Sequence, residues 1–162
     1  MVPLRNTGAA ISPFNSFLIL QGIETLALRM DRICTNTIKV AEYLKKHAKV
    51  EWVNYAGLPD HADHALVQKY MGGRASGILS FGVKGGFEAG GRFQDALKLI
   101  TRLVNIGDAK SLACHPASTT HRQLSPAELA KAGVSPDMVR LSIGIEHIDD
   151  ILADLEQALA AA

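Results

Sequence analysis

Cysteine, aromatic residues and net charge are all scarce in this sequence of 162 residues. The two cysteines, Cys34 and Cys114, lie far apart without a CxxC spacing, which argues against a disulfide framework or a zinc site and favours a reducing cytoplasm. Lys and Arg number 17 against 16 Asp and Glu, so we expect no affinity for nucleic acid or an anionic membrane. No apolar run approaches the roughly 20 residues that span a bilayer, and no signal peptide is recognisable. These absences predict a soluble, cytoplasmic protein.

Apolar residues, by contrast, are abundant. They make up 48% of the sequence, enough to build one packed domain of ordinary size. The opening segment VPLRNTGAA is typical of a loop inside a domain rather than of a natural beginning. We therefore expect the chain to be part of a longer protein.

Helical and strand periodicities alternate along the chain. The predicted elements of the first half are a helix that starts at Ser12-Pro13, with Ser12 as the cap and Pro13 in the first turn, and runs from Phe14 to about His47 with a kink at Gly22, a strand at Val50–Tyr55, a helix at His61–Met71 and a strand at Ser76–Val83. Those of the second half are a helix at Phe87–Arg102, strands at Leu103–Ile106 and Ser111–Cys114 joined by a turn at Gly107-Asp108, a helix started by a capping box at Ser125–Glu128, a strand at Met138–Glu146 and a closing helix from Ile148. Together they predict an α/β fold of the α+β type, a two-layer sandwich of a small, mostly antiparallel sheet covered by helices and preceded by a long helix.

The strand MVRLSIGIE, residues 138–146, carries the most informative charge. Val139, Leu141 and Ile143 alternate with Met138, Arg140 and Ser142, so Arg140 lies on the face opposite the apolar one. Spacing alone leaves two interpretations of Arg140. It is either a surface charge paired with a nearby acid, or a planar fork that binds a carboxylate through two parallel hydrogen bonds.

Three other patterns are weaker. His61 and His64 have the spacing of a helical metal pair, but no further ligand lies nearby, which favours surface histidines. The segment Lys84-Gly85-Gly86 lacks the spacing of a phosphate loop and is more typical of a tight turn. Residues 105–129 are rich in Ser, Thr and His but have no GxSxG elbow and no acidic orienter at a telling distance, so they favour a ligand- or partner-binding loop over a hydrolase site.

The segments GDAKSLACHPASTTH and VRLSIGIE, together with LILQGIETLALRMDR, resemble the Cys/Met-metabolism enzymes that use pyridoxal phosphate (PLP). The resemblance covers essentially the whole chain. Within the family, FGVKGGFEAGGRF and HPASTTHRQLSPAELAKAGVSPD are most similar to the O-acetylhomoserine sulfhydrylases. Enzymes of this fold type have a large cofactor domain followed by a small C-terminal domain. The resemblance therefore implies that residues 1–47 are a loop and long helix linking to a cofactor domain, and that residues 48–162 are the small C-terminal domain.

The resemblance also implies roles for individual residues. Arg140 corresponds to the arginine that holds the α-carboxylate of the substrate, and Ser111 and Leu112 correspond to residues that line the same pocket, largely through backbone groups. Arg5 and Asn6 stand where the γ-lyases have a lysine-aspartate pair near the substrate. This departure argues against a methionine γ-lyase, although both residues are also compatible with an ordinary loop.

The family's Schiff-base lysine and its phosphate- and pyridine-binding residues lie upstream of the matching segment. The resemblance thus implies that this chain holds no catalytic residue, binds no PLP and no metal by itself, and is inactive alone. The complete enzyme is expected to use PLP to convert O-acetyl-L-homoserine and sulfide to homocysteine, or methanethiol to methionine, as a homo-oligomer (a tetramer in the family). The alternatives are a methionine γ-lyase, a cystathionine γ-synthase or lyase, and a non-catalytic module for amino-acid binding or oligomerisation.

Overall fold

The structure is a computed structural model that describes residue 8 and residues 10–162. The helices are α1 Pro13–Glu24, α2 Leu26–Lys46, α3 His64–Met71, α4 Gly86–Ala96, α5 Pro126–Lys131 and α6 Ile148–Ala161, with a 3₁₀ turn at Pro116–Ser118. The strands are β1 Val50–Asn54, β2 Ile78–Val83, β3 Thr101–Arg102, β4 Leu112–Cys114 and β5 Met138–Ser142. They form one sheet in the order β1-β2-β5-β4-β3, and only the β3–β4 pair is parallel. The predicted mixed fold with a mostly antiparallel sheet is confirmed.

The core lies between one face of the sheet and helices α2, α4 and α6. Phe81 of β2 and Val139 of β5 are register partners on this face, and both are fully buried. Phe93 of α4 packs edge-on against Phe81, with ring centroids 5.5 Å apart. The alternation in the sequence correctly identified the apolar face, which leaves Arg140 on the other side of the sheet.

The long N-terminal helix divides at Thr25, not at the predicted Gly22. Thr25 leaves helical geometry with φ −102° and ψ 2°, so α1 ends at Glu24 and α2 begins at Leu26. The Arg29 side chain donates to the carbonyl oxygen of Gly22 over 2.6 Å and also to the Thr25 hydroxyl over 3.4 Å. The break between α1 and α2 is therefore stabilised by the Arg29 side chain, a contact that the position of a glycine does not predict. As predicted, the helix begins at Pro13, and Ser12 accepts a hydrogen bond from the Asn15 N–H.

Helix α4 ends at Ala96, six residues before the predicted Arg102. The carboxylate of Asp154 on α6 accepts hydrogen bonds from all three backbone N–H groups of residues 98–100, at 2.8–3.0 Å. An acid from a distant helix thus satisfies amides that a continued helix would have used. The periodicity of the segment gave no sign of this contact.

The predicted hairpin at residues 103–114 is wrong. β3 lies earlier, at Thr101–Arg102, and runs parallel to β4, with Thr101 opposite Leu112. The Gly107-Asp108 segment lies in the connection between them, where the Asp108 carboxylate accepts from the Lys110 N–H. This local turn does not reverse the chain into an antiparallel partner.

Two other elements, α3 and β5, are shorter than predicted, and the predicted capping box at Ser125 is confirmed. β5 ends at Ser142 instead of Glu146, and α3 begins at His64 instead of His61. The capping box is present, because the Ser125 side chain accepts from the backbone N–H of Glu128 and the Glu128 carboxylate accepts from the backbone N–H of Ser125 at 2.8 Å. Within the described part of the chain, no helix is long and apolar enough to cross a membrane.

Candidate functional site: an arginine on the open face of the sheet

Arg140 lies in the middle of β5, the central strand of the sheet. Its register partners are Ser80 on β2 and Cys114 on β4, so two small, uncharged side chains flank it. The position is set by hydrogen bonding of β5 to both neighbouring strands. The guanidinium is therefore carried by one of the most rigid parts of the fold.

No acidic side chain neutralises Arg140 among the described residues. The salt bridges found there all involve other basic residues. The only hydrogen bond of the Arg140 side chain to the described residues runs from Nη2 to the carbonyl oxygen of Asn105, at 3.4 Å. The interpretation of Arg140 as one half of an ordinary surface ion pair thus finds no acidic partner in this part of the chain.

A cleft of about 640 Å³ lies over this part of the sheet. Arg140, Ser80 and Cys114 form part of its lining, and Asn54 and His121 contribute further polar groups. Its volume is in the range usual for small-molecule sites. A second cleft, of about 620 Å³ beside Phe87 and Leu129, has no charged side chain in its lining and so offers nothing to fix a carboxylate.

The Cys114 thiol beside Arg140 is protonated at neutral pH. Burial raises the pKa of Cys114, and the positive charge of Arg140 opposes this effect only in part. A neutral thiol adds no negative charge next to the guanidinium. Cys114 therefore does not offset the positive charge of Arg140, and the lining of the cleft includes one carboxylate, that of Asp63.

Ser111 and Leu112 lie beside the end of β5 but do not line the cleft. Ser111 is fully buried, and its N–H and hydroxyl both donate to the carboxylate of Glu146, at 2.6 and 2.9 Å. Leu112 is buried opposite Ser142. The structure thus brings the SL pair to the strand of Arg140, while its role in a carboxylate pocket stays a prediction. Arg5 and Asn6 lie outside the described residues.

The histidines singled out in the sequence make protein contacts. His61 Nε2 lies 2.8 Å from the Asn54 side-chain oxygen, and His61 Nδ1 accepts from the Asp63 N–H, so both ring nitrogens are engaged. His115 is fully buried, with Nδ1 at 2.8 Å from the Ser118 hydroxyl and Nε2 at 2.7 Å from a backbone carbonyl oxygen. No cluster of three or more potential metal ligands occurs in the described residues.

Sequence reasoning missed three neighbours of this region: Ser80, Asn36 and the structural part played by Glu146. Ser80 and Asn36 come close only through strand pairing and helix packing, which one sequence does not display. Glu146 was visible, since it closes the VRLSIGIE segment and is the first acid after Arg140. Its two hydrogen bonds to Ser111 were not predictable from that spacing.

Fold and cleft together define a small α/β domain with a cleft whose lining includes Arg140, an arginine without an ion-pair partner among the described residues. The profile of the "Cys/Met metabolism PLP-dependent enzyme" family matches residues 2–160. The chain therefore belongs to the Cys/Met-metabolism family of PLP-dependent enzymes.

Individual relatives agree with this assignment. The chain is 54% identical to O-acetyl-L-homoserine sulfhydrylase 1 of Thermus thermophilus over 97% of its own length and 37% of the relative's. It is 57% identical to O-acetyl-L-homoserine sulfhydrylase of Leptospira meyeri and 47% identical to L-methionine gamma-lyase of Pseudomonas putida. A crystal structure of a putative O-acetylhomoserine (thiol)-lyase from Campylobacter jejuni, which carries a pyridoxyl-lysine phosphate, superposes with a TM-score of 0.88 at 47% identity, covering 97% of this chain and 37% of that one. The chain thus spans little more than a third of the length of these relatives.

The described residues suit an amino-acid carboxylate better than they suit the cofactor. PLP is attached to its enzymes through a lysine amine. All nine lysines lie in the described part of the chain; none is buried, and none lines the cleft of Arg140. We therefore assign no step of PLP chemistry to these residues.

Proposed function

We propose that this chain is the substrate-carboxylate-binding part of an O-acetylhomoserine sulfhydrylase. The complete enzyme makes homocysteine from O-acetyl-L-homoserine and sulfide, or methionine when methanethiol replaces sulfide, by γ-replacement. PLP, when bound, supplies the electron sink for that reaction. The observation that carries the proposal is Arg140, a charge without an acidic partner in the described chain and in the lining of an amino-acid-sized cleft. The sulfhydrylase names of relatives that are 54–57% identical support the specific reaction.

In this proposal Arg140 binds and orients the substrate. Its planar guanidinium donates two parallel hydrogen bonds to the α-carboxylate, each about 1.5–3 kcal/mol because both partners are charged. A carboxylate fixed at two points holds the rest of the amino acid in one orientation toward the reacting centre. Ser111 and Leu112, which correspond to residues of the family's carboxylate pocket, and Arg5 and Asn6, which correspond to a pair near the substrate, are assigned to the same site by that resemblance. None of these residues transfers a proton or forms a bond, so the chain alone is inactive.

The test is Arg140→Lys and Arg140→Ala in the complete gene product, purified with its cofactor. We expect KM for O-acetyl-L-homoserine to rise about 10- to 100-fold in Arg140→Lys and further in Arg140→Ala, because the bidentate contact is lost. The visible absorbance of bound PLP should not change. Arg74→Ala is the matched control, since Arg74 is exposed and paired with Asp31. Wild-type KM and kcat in both Arg140 variants would refute the proposal.

A γ-lyase is the second candidate, favoured by the 47% identity to the L-methionine gamma-lyase of Pseudomonas putida. The two activities differ in the fate of the substrate: replacement at the γ carbon yields homocysteine, whereas elimination yields a keto acid. Incubation of the complete protein with O-acetyl-L-homoserine plus sulfide, and separately with methionine or cystathionine, distinguishes them. Homocysteine only in the first incubation supports the sulfhydrylase.

We also propose that the complete protein is a cytoplasmic homo-oligomer, a tetramer. Helix α1 supports association, because it has no buried residue and exposes large apolar side chains on several sides, as helices enclosed by other protein do. Cys34 and Cys114 are free and buried, in keeping with a reducing compartment. We further propose that residues 1–47 connect to the cofactor domain and that residues 48–162 form the small domain. Light scattering of the complete protein gives its mass and tests the tetramer.

A further inference from the structure

Glu146 joins the strand of Arg140 to the strand beside it. Its carboxylate accepts the N–H of Ser111 at Oε1 and the hydroxyl of Ser111 at Oε2, over 2.6 and 2.9 Å. The same hydroxyl oxygen accepts from the Gly144 N–H at 2.9 Å. Ser111 precedes β4 and Gly144 follows β5, so this cluster closes the end of the β4–β5 ladder, whose third register pair from that end is Cys114 opposite Arg140.

The turn that carries Glu146 is itself fixed from two sides. The side chain of Asn36 on α2, 1% exposed, donates to the carbonyl oxygens of both Gly144 and Glu146, at 3.0 Å each. On the other side, the Ile145 N–H donates to the carbonyl oxygen of Ala109 at 2.9 Å. Such a turn has little freedom, so a change at Glu146 is transmitted to the strands instead of being absorbed locally.

The cluster specifically requires a carboxylate. Glu146 receives two donors from Ser111, and the Ser111 hydroxyl donates to Glu146 while it accepts from the Gly144 N–H. A glutamine has one accepting and one donating end, so it cannot accept both Ser111 hydrogens at separate oxygens. An aspartate is one methylene shorter and cannot span the same contacts.

We propose that Glu146 is a positioning residue for the carboxylate site, acting on Arg140 through Ser111 and Gly144. Glu146 does not touch the substrate. It holds the ends of β4 and β5 together, so that the guanidinium of Arg140 and the backbone of Ser111 keep one fixed separation. This inference rests on the proposed function of Arg140 and adds that Glu146 keeps the strand of Arg140 aligned.

The first experiment is Glu146→Gln in the complete, PLP-loaded protein. We expect KM for O-acetyl-L-homoserine to rise about tenfold, because small displacements of an orienting group are costly, while kcat and the absorbance of bound PLP change less than twofold. A purely structural role would lower Tm and leave KM of the folded enzyme at the wild-type value. Glu51→Gln, on the exposed part of β1, is the matched control.

A double-mutant cycle with Arg140→Lys tests whether the effect of Glu146 on KM passes through Arg140. If Glu146 acts through Arg140, the double variant should have the KM of Arg140→Lys alone. Independent, multiplying effects, or an unchanged KM in Glu146→Gln beside a raised KM in Arg140→Lys, overturn this inference and leave the proposed function intact. An unchanged KM in both Arg140→Lys and Arg140→Ala overturns both. Should Glu146→Gln fail to fold, Ser111→Ala removes the same hydroxyl contacts and is judged by the same outcomes.

Discussion

Replacement of Asp154 by alanine should destabilise the domain more than the loss of a single acid usually does. Asp154 lies on α6, is 6% exposed and accepts hydrogen bonds from the backbone N–H groups of residues 98–100. The side chain of Gln157 donates a fourth hydrogen bond to it, at 3.0 Å. One carboxylate therefore satisfies a whole turn of backbone that enters β3 after α4.

The size of the destabilisation depends on the backbone amides that lose their acceptor when Asp154 is replaced. Hydrogen bonds to charged acceptors contribute about 1.5–3 kcal/mol each, and a buried amide without a partner costs about 1–3 kcal/mol. Only the Ile100 amide is fully enclosed, while the amides of residues 98 and 99 can recover water, because those residues are exposed. The full sum therefore does not apply, and we expect the free energy of unfolding to fall by about 3–5 kcal/mol.

The assay is urea unfolding of the 162-residue chain, followed by the fluorescence of Trp52, the only tryptophan in the sequence. With a slope of about 2 kcal/mol per molar urea, the midpoint should fall by about 1.5–2.5 M. Asp95→Ala is the control: Asp95 lies on α4, is exposed and pairs only with Arg102, so its loss should cost less than about 1 kcal/mol. Equal midpoints for the two variants would refute the reasoning.

Two further substitutions test the turn and the cap. Gly144→Ala should lower the free energy of unfolding by about 1–3 kcal/mol, because a Cβ there would lie 2.6 Å from the carbonyl carbon of Lys110. Gly22→Ala is the control and should not destabilise the chain, because the space around Gly22 is open. The urea midpoints of the two variants test this difference. Ser125→Ala should lower Tm by about 2–4 °C at pH 7. Since Ser125 lowers the pKa of Glu128, the contact with the carboxylate stabilises above the ordinary glutamate pKa and is lost as pH falls through the lowered value, so the Tm difference should shrink in acid to the part contributed by the hydrogen bond from the Glu128 N–H.

The fold was predictable wherever one element carried its own signal. The apolar face of β5, the capping box at Ser125 and the helix start at Pro13 are local patterns, and the structure confirms each of them. The errors arose where a distant residue decided the outcome. Asp154 lies 54–56 positions beyond the amides it binds, and it ends α4 although the apolar spacing continues. Likewise, β3 runs parallel to β4, with Thr101 opposite Leu112 and Arg102 opposite Ala113. A turn at Gly107 alone predicts the opposite direction.

The candidate site, too, was predictable only where a single segment carried the signal. The strand pattern placed Arg140 on the face opposite the core, and the family resemblance gave it a role, but its electrostatic setting is a three-dimensional property. That Ser80 and Cys114, and no acid, stand beside Arg140 depends on the register of three strands. The bonding of Ser111 to Glu146 links positions 35 residues apart, so the sequence could name both residues without relating them.

The register of these strands also bears on the proposed exchange of the Arg140 partner for a substrate carboxylate. In this structure the guanidinium makes one long contact, 3.4 Å, to the neutral carbonyl oxygen of Asn105. A neutral acceptor contributes about 1 kcal/mol at good geometry, and less at this length. A carboxylate offers two charged acceptors in the plane of the fork, at about 1.5–3 kcal/mol each. Exchange of the Asn105 carbonyl for a carboxylate therefore favours the bound state, whereas an acid at the position of Ser80 or Cys114 would have competed for Arg140 and removed that advantage.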